Sequence, residues 1–157
     1  MVAIVTLAIT RRWRPIAFLA AVMVGEIGVF LIAAYVVMRP RPFVVHLDGH
    51  APPTSSYPSG HTAATSCLYI AIAILAIGLA KDWWRWLFLI PAIAVPLLVA
   101  GSRLYRGEHH PTDVLGSLLL AGLWLTATTM LIRPAAVPAP QPAGQAAKPE
   151  PRADADL

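Results

Sequence analysis

Residues 16–38 read IAFLAAVMVGEIGVFLIAAYVVM and decide the fold of this 157-residue chain. Arg14 stands just before the stretch, Arg39 follows it, and Glu26 is the single charge inside it. An α-helix of about 20 apolar residues is long enough to cross the hydrocarbon core of a bilayer. The stretch therefore predicts a membrane-spanning helix. Because a carboxylate facing lipid is costly, Glu26 is expected to face the inside of a helical bundle.

Three further apolar stretches, at residues 62–80, 86–100 and 114–132, repeat this pattern. Charges are grouped between them, and Asp, Glu, Lys and Arg make up only 13% of the chain, against about 25% in soluble domains. The sequence predicts an all-α integral membrane bundle with four transmembrane helices and excludes a water-soluble fold. The formal charge of +4 does not point to nucleic acid, since the basic residues stand at span ends and form no continuous patch.

The two ends of the chain differ from this bundle. Residues 2–9 are apolar but too short to cross a bilayer, and positive charges follow them, unlike in a signal peptide. They are expected to be the remnant of a span or an interfacial segment. From residue 134 onward Pro and Ala replace the apolar pattern, which predicts a disordered tail at 134–157 behind a membrane domain at 1–133. The single cysteine, Cys67, excludes an internal disulfide and is expected to pack in a helix.

Two longer loops, at residues 39–61 and 101–113, are separated by two predicted crossings and so are expected on the same side of the membrane. The opposite side carries short, basic connections, which the positive-inside rule assigns to the cytoplasm. This predicts a multi-pass plasma membrane protein whose two loops face the extracytoplasmic side. All five histidines lie in or beside these loops: His46, His50, His61, His109 and His110. Titratable residues from distant parts of the chain thus meet at one surface, which makes that surface the candidate site.

The first loop ends in the sequence PSGHT at residues 58–62. Ser59 is a favourable N-cap for the second span, and the N–H groups of Gly60 and His61 then lack intrahelical acceptors. Such a helix start binds anions, phosphate above all. Gly60 lets a ligand approach the backbone, and His61 can exchange a proton with it. Taken alone, the segment also fits a plain cap followed by a surface histidine.

The second loop contains SRLYRGEHHPTD at residues 102–113. Pro111 suits the first turn of the next helix, which places Asp113 within reach of a histidine just before it. A carboxylate that accepts from one imidazole nitrogen leaves the other nitrogen as a nucleophile or base. Arg103 adds a guanidinium group, whose planar fork matches phosphate oxygens. Alone, this segment too fits an ordinary polar loop.

Together the two loops match phosphoryl transfer through a covalent histidine intermediate, a reaction for which neither a metal nor another cofactor is expected. Arginines and backbone amides would stabilise the charge on the phosphoryl oxygens. A metal site is the competing use of His and Asp. It fits less well, because arginines so close to the ligands repel a cation.

In these motifs the chain resembles the type 2 phosphatidic acid phosphatase (PAP2) family of membrane lipid phosphatases. The family motif Pro-Ser-Gly-His is intact at residues 58–61, and Ser-Arg-x5-His-x3-Asp is intact at residues 102–113. The resemblance implies a lipid phosphate or pyrophosphate phosphatase, with a lipid phosphate as its substrate partner. The spacing to Ser-Arg and to Asp selects His109 over its neighbour His110. The implied roles are His109 as nucleophile, Asp113 as its orienting partner, His61 as the acid for the leaving group, and Arg41, Ser59, Gly60 and Arg103 as phosphoryl ligands.

The chain departs from the family pattern at two points. The motif Lys-x6-Arg-Pro keeps Arg41-Pro42, but Ala34 stands where the lysine is expected, and Arg39 is the candidate replacement for that phosphate-binding cation. The family usually has six spans, whereas four are predicted here, as though the first two were missing. The alternative function is therefore a catalytically impaired membrane protein that keeps an anion site for phospholipid headgroups. A metal-dependent enzyme or transporter is a third possibility. Neither the lipid nor the oligomeric state follows from these residues.

Overall fold

The computed structural model describes residues 13–44, 47, 55–79 and 82–134. Across these ranges the chain forms helices and loops and no strand: α1 Trp13–Val37, α2 Gly60–Leu79, a 3₁₀ helix Trp83–Phe88, α3 Leu89–Tyr105 and α4 Pro111–Ile132. The 3₁₀ helix and α3 form one continuous apolar segment. With that segment, four helices are long and apolar enough to cross a membrane. The prediction of an all-α membrane bundle is confirmed. The predicted remnant at residues 2–9 and the tail beyond residue 134 lie outside the described ranges.

Helix α2 lies at the centre of the bundle and packs against α1, α3 and α4, while α1 also packs against α4. Buried apolar side chains fill the space between α1, α2 and α4. They are Phe18, Leu19 and Val22 from α1, Cys67, Ala71 and Leu75 from α2, and Ala121 and Leu125 from α4. Small residues such as Ala71 and Ala121 let helix backbones approach closely, as is typical of membrane bundles. Cys67 is thus a packing residue, as expected.

The contact between α1 and α4 depends on a glycine. Trp124 of α4 lies against Gly25 of α1, where an added Cβ would stand 1.8 Å from the indole Cζ2. The same indole donates a hydrogen bond from Nε1 to the carbonyl of Val22 at 3.1 Å. Only a residue without a side chain permits this approach, so Gly25 fixes how α1 and α4 meet.

Glu26 faces the bundle interior, as expected, and is only 6% exposed. It lines a small cavity together with Phe30, Pro58 and Trp124. The cavity lies between α1, α2 and α4.

Helix α3 continues to Tyr105, past residue 100, where the hydropathy pattern placed the end of the span. The helix ends when Gly107 adopts a left-handed conformation with φ 72°, a conformation that favours glycine at a helix C-terminus. The amide of Glu108 then folds back onto the carbonyl of Arg103 at 3.2 Å. Arg103 is therefore a helical residue in the last turn, where a cation stabilises the negative end of the helix dipole.

Candidate active site

The loops that follow α1 and α3 meet at one end of the bundle. Arg41 Nη1 donates to the carbonyl of Glu108 at 2.9 Å, and the amide of Ser59 donates to the carbonyl of Asp113 at 3.4 Å. Ser117 of α4 joins the two segments, since its Oγ lies 3.0 Å from the Ser59 carbonyl and 2.7 Å from the Asp113 carbonyl. The helix start at Gly60 and the helix start at Pro111 are thereby tied side by side.

His109 is held by a backbone carbonyl. Its Nδ1 bonds to the Ser56 oxygen at 2.6 Å, and because a carbonyl can only accept, Nδ1 carries the hydrogen and Nε2 keeps its lone pair. The side chain is buried, and this desolvation lowers the pKa of His109. The charge of Arg41 lowers the pKa further, whereas the Ser56 bond and the charges of Asp113 and Glu108 oppose the shift. The net effect favours the neutral imidazole, which is the nucleophilic form.

Asp113 is fully buried, and its hydrogen bonds go to residues other than His109. Its Oδ1 accepts from Arg39 Nη1 at 2.8 Å, and its Oδ2 accepts from the backbone N–H of His110 at 2.8 Å. The distance from Oδ2 to His109 Nδ1 is 3.9 Å, too long for a hydrogen bond. The carboxylate caps the start of α4, and the hydrogen-bond acceptor of His109 Nδ1 is the Ser56 carbonyl.

Arg39, the expected replacement for the missing lysine, lies in this same cluster. Besides Asp113, its Nη1 donates to the hydroxyl of Thr112, and its backbone carbonyl accepts from the amide of Ser56 at 2.8 Å. Arg39 thus links the first loop to the start of α4. It also positions the residue whose carbonyl holds His109.

Arg103 forms an ion pair that the sequence did not predict. Its Nη1 donates to Glu108 Oε2 at 2.8 Å and to Oε1 at 3.1 Å. The Nε of Arg103 is buried and has no hydrogen-bond partner in the described part of the chain. An unsatisfied buried donor is uncommon in native proteins. Here it lies in the residue expected to bind phosphoryl oxygens.

The PSGH segment starts α2 as expected. Gly60 is the first helical residue, the carbonyl of Ser59 accepts the first intrahelical bond from Ala63 at 3.0 Å, and Ser59 Oγ lies 3.0 Å from Thr62 Oγ1. Gly60 also serves packing, because a Cβ there would stand 3.0 Å from the Phe30 ring.

His61 is solvent-exposed, yet partial desolvation and the charges of Arg103 and Arg41 lower its pKa, whereas the charge of Glu108 opposes the shift. Because the charges of Arg41 and Glu108 also act on His109, both histidines belong to one electrostatic cluster.

Sequence reasoning missed two contributors, Ser56 and Glu108. Every residue carries a backbone carbonyl, so no signal in the sequence marks Ser56. Arg103 and Glu108 are five positions apart, a separation that does not match helical spacing, and only the reversal at Gly107 brings the two together. Across residues 13–44, 47, 55–79 and 82–134, no group of three or more His, Cys, Asp or Glu residues is arranged to hold a metal ion. His46 and His50 lie outside these ranges.

The fold and the site define the class of this molecule. It is a multi-pass helical membrane protein with histidines and arginines at one end of its bundle. The sequence profile of the PAP2 superfamily matches residues 14–136, and the chain belongs to this family. The resemblance seen in the motifs is thereby confirmed.

Two curated relatives are similar to part of the chain. It is 41% identical over 90 residues to undecaprenyl-diphosphatase BcrC of Bacillus subtilis (strain 168), an alignment that covers 55% of this chain and 42% of that protein. It is 33% identical over 113 residues to an undecaprenyl-diphosphatase of Sulfolobus acidocaldarius, covering 71% of this chain and 49% of that protein. The chain therefore spans about half the length of the curated relatives it matches. No solved structure matches it.

Proposed function

We propose that this chain is a membrane lipid phosphatase that acts on a lipid phosphate or pyrophosphate through a phosphohistidine at His109. Lipid pyrophosphates are the favoured substrates, because both relatives carry the name undecaprenyl-diphosphatase. The observation that carries the proposal is the state of His109, which is 7% exposed with Nδ1 bonded to the Ser56 carbonyl. A neutral imidazole with a free Nε2, beside guanidinium groups, is the arrangement that nucleophilic attack on phosphorus needs.

The proposed reaction has two balanced steps. In the first, His109 Nε2 forms a bond to phosphorus while the bond from phosphorus to the leaving oxygen breaks, and His61 gives its proton to that oxygen. In the second, water attacks phosphorus, the phosphorus–nitrogen bond breaks, and His61 accepts the proton of the water. Inorganic phosphate leaves, and both histidines return to their starting states.

Charge on the phosphoryl oxygens would be stabilised by Arg41, Arg103 and the amides at the start of α2, among them that of Gly60. The guanidinium groups also disfavour a cation at the same place. Arg39 is assigned to Asp113 and not to the phosphoryl group, because its Nη1 lies 2.8 Å from Oδ1 of that buried carboxylate.

We also propose that the site end of the bundle faces the extracytoplasmic side of the plasma membrane. Basic residues stand at the other end: Arg14 begins α1, Arg85 lies between α2 and α3, and Arg133 ends α4. The positive-inside rule places such residues in the cytoplasm.

Cysteine labelling of intact cells tests this orientation. Tyr105 and Trp83 stand at opposite ends of the segment formed by the 3₁₀ helix and α3, and they are 82% and 75% exposed. A membrane-impermeant maleimide should label Tyr105→Cys and spare Trp83→Cys, while the native Cys67 is buried. The reverse labelling pattern would place the site in the cytoplasm.

The activity is tested by phosphate release in detergent micelles from undecaprenyl diphosphate and from phosphatidic acid. His109→Ala should lower the rate by about 10³-fold or more, whereas His110→Ala should keep most of it. Incubation with ³²P-labelled substrate should yield an acid-labile, base-stable phosphoprotein in the wild type and none in His109→Ala. Activity should persist in chelator.

Other outcomes identify the alternatives. Loss of activity in chelator and recovery with zinc would favour a metal-dependent enzyme. Binding of lipid phosphates with no release from any of them would favour an impaired protein that keeps an anion site.

A further inference from the structure

Glu108 lies between the two arginines of the phosphoryl site. Its carboxylate bonds to Arg103 Nη1 through both oxygens, at 2.8 and 3.1 Å, and its backbone carbonyl accepts from Arg41 Nη1 at 2.9 Å. The residue is 8% exposed and immediately precedes His109. The family motif Ser-Arg-x5-His-x3-Asp leaves this position unspecified. One residue therefore connects both arginines to the candidate nucleophile.

The way in which Glu108 bonds to Arg103 leaves a particular edge of the guanidinium available. A guanidinium group can bind an oxyanion with two nitrogens at once, either Nη1 with Nη2 or Nε with Nη2. Glu108 takes Nη1 alone. The buried Nε has no partner in the described part of the chain. The edge formed by Nε and Nη2 matches two oxygens of a tetrahedral phosphoryl group.

We propose that Glu108 is a positioning residue, which holds Arg103 by Nη1 so that the edge formed by Nε and Nη2 binds two phosphoryl oxygens. This inference rests on the proposed function of the site and adds a determinant of its affinity for phosphate. In the opposite role, the Glu108 carboxylate would be an internal anion that competes with the substrate for Arg103. A competitor would occupy the edge that phosphate uses, whereas the bonds from this carboxylate to Arg103 are both to Nη1. Displacing Glu108 would also disturb the loop that carries His109 and the bond that this loop accepts from Arg41.

The test compares Glu108→Gln with Glu108→Ala, each alone and combined with Arg103→Lys. A glutamine oxygen still accepts from Nη1, an alanine cannot, and a lysine offers no planar fork. Asp82→Asn serves as the control for loss of a carboxylate, since Asp82 is exposed and precedes the 3₁₀ helix, at the other end of the segment that this helix forms with α3. The readouts are KM, kcat, the inhibition constant of vanadate, and the thermal stabilisation that vanadate gives in detergent.

Glu108→Ala should raise KM and the vanadate inhibition constant about 10-fold or more, the effect of a lost charge-assisted bond. The change in kcat should be smaller. In Glu108→Gln, KM and the vanadate inhibition constant should lie within about 3-fold of the wild-type values, because the neutral acceptor keeps part of the bond. In the Arg103→Lys background the alanine change should add less than about 2-fold, since residues that act as one unit are not additive.

Two results would overturn the inference. Tighter vanadate binding in either Glu108 variant would make Glu108 a competitor, and equal effects of Glu108→Ala in both backgrounds would make its role independent of Arg103. If Glu108→Ala does not fold, Glu108→Gln with and without Arg103→Lys gives the same comparison. Stabilisation by vanadate needs no turnover, so an inactive wild type that binds vanadate would contradict the proposed function and still test Glu108.

Discussion

Replacing Arg39 by methionine tests how the site is held together. The change removes the guanidinium partner of Asp113, a carboxylate that is fully buried. Asp113 keeps its two contacts with His110, from the backbone N–H at 2.8 Å and with the ring Nδ1 at 3.4 Å. A buried carboxylate that loses its counter-ion has no access to water to replace it, so the folded state should become less stable.

The magnitude follows from the exposure of the pair. Breaking a fully buried ion pair by removing one partner costs about 3–5 kcal/mol, whereas a surface pair contributes about 1 kcal/mol or less. The Arg39 side chain is 35% exposed and that of Asp113 is 0% exposed, so we expect about 2 kcal/mol. For a chain of this size that free energy lowers the melting temperature by about 4–8 °C.

The assay is thermal unfolding in detergent micelles, followed by circular dichroism. Arg39→Lys keeps the charge and should lose about half as much folding stability as Arg39→Met. Asp113→Asn in the Arg39→Met background should recover part of the loss, because no charge is left stranded. An unchanged melting temperature in Arg39→Met would refute the reasoning. A raised KM without any loss of stability would return Arg39 to phosphate binding, the role expected from the missing lysine.

Gly25→Ala should destabilise the bundle by about 1–3 kcal/mol, because the new Cβ would lie 1.8 Å from Trp124 Cζ2. Gly28→Ala, with nothing within 4 Å, should be neutral or stabilising; equal melting temperatures for the two variants would contradict the packing. Trp124→Phe should cost about 1 kcal/mol, since it loses the bond to the Val22 carbonyl, and an unchanged denaturation midpoint would exclude that bond's contribution. The pKa of His109, lowered by burial, should give a titration midpoint below 6.5 by NMR of labelled histidines, with His109→Ala as the assignment control. Because the unfolded chain binds this proton more readily, the stability of the folded state should fall as the pH drops below the pKa of an ordinary histidine. A titration midpoint above that pKa would be inconsistent with a buried neutral imidazole.

Hydropathy predicted the helices of this protein, because a span needs a certain length of apolar chain and nothing else. Spacing along the chain also predicted that the PSGH segment and His109 would meet, since an even number of crossings returns the chain to the same side. The end of α3 was not predictable from hydropathy alone. Ser102 and Arg103 are polar yet helical, and the helix stops only where Gly107 adopts a positive φ.

The partners within the site were harder to predict than its members. Arg39 and Asp113 are 74 residues apart, and a sequence contains no information on which of several arginines will reach a given carboxylate. The resemblance implied that Asp113 orients His109. In the structure the capping requirement of α4 takes one oxygen of that carboxylate and Arg39 takes the other.

This division of roles favours a nucleophilic histidine. A carboxylate bonded directly to the imidazole of His109 would stabilise its protonated form and oppose the effect of burial. With Asp113 Oδ2 3.9 Å from Nδ1 and its charge balanced by Arg39, that opposition is weakened and burial remains the largest influence on the pKa of His109. The neutral Ser56 carbonyl can still fix the ring and its tautomer. The imidazole is thereby held in place without being held in its charged form, which is the condition for attack on phosphorus near neutral pH.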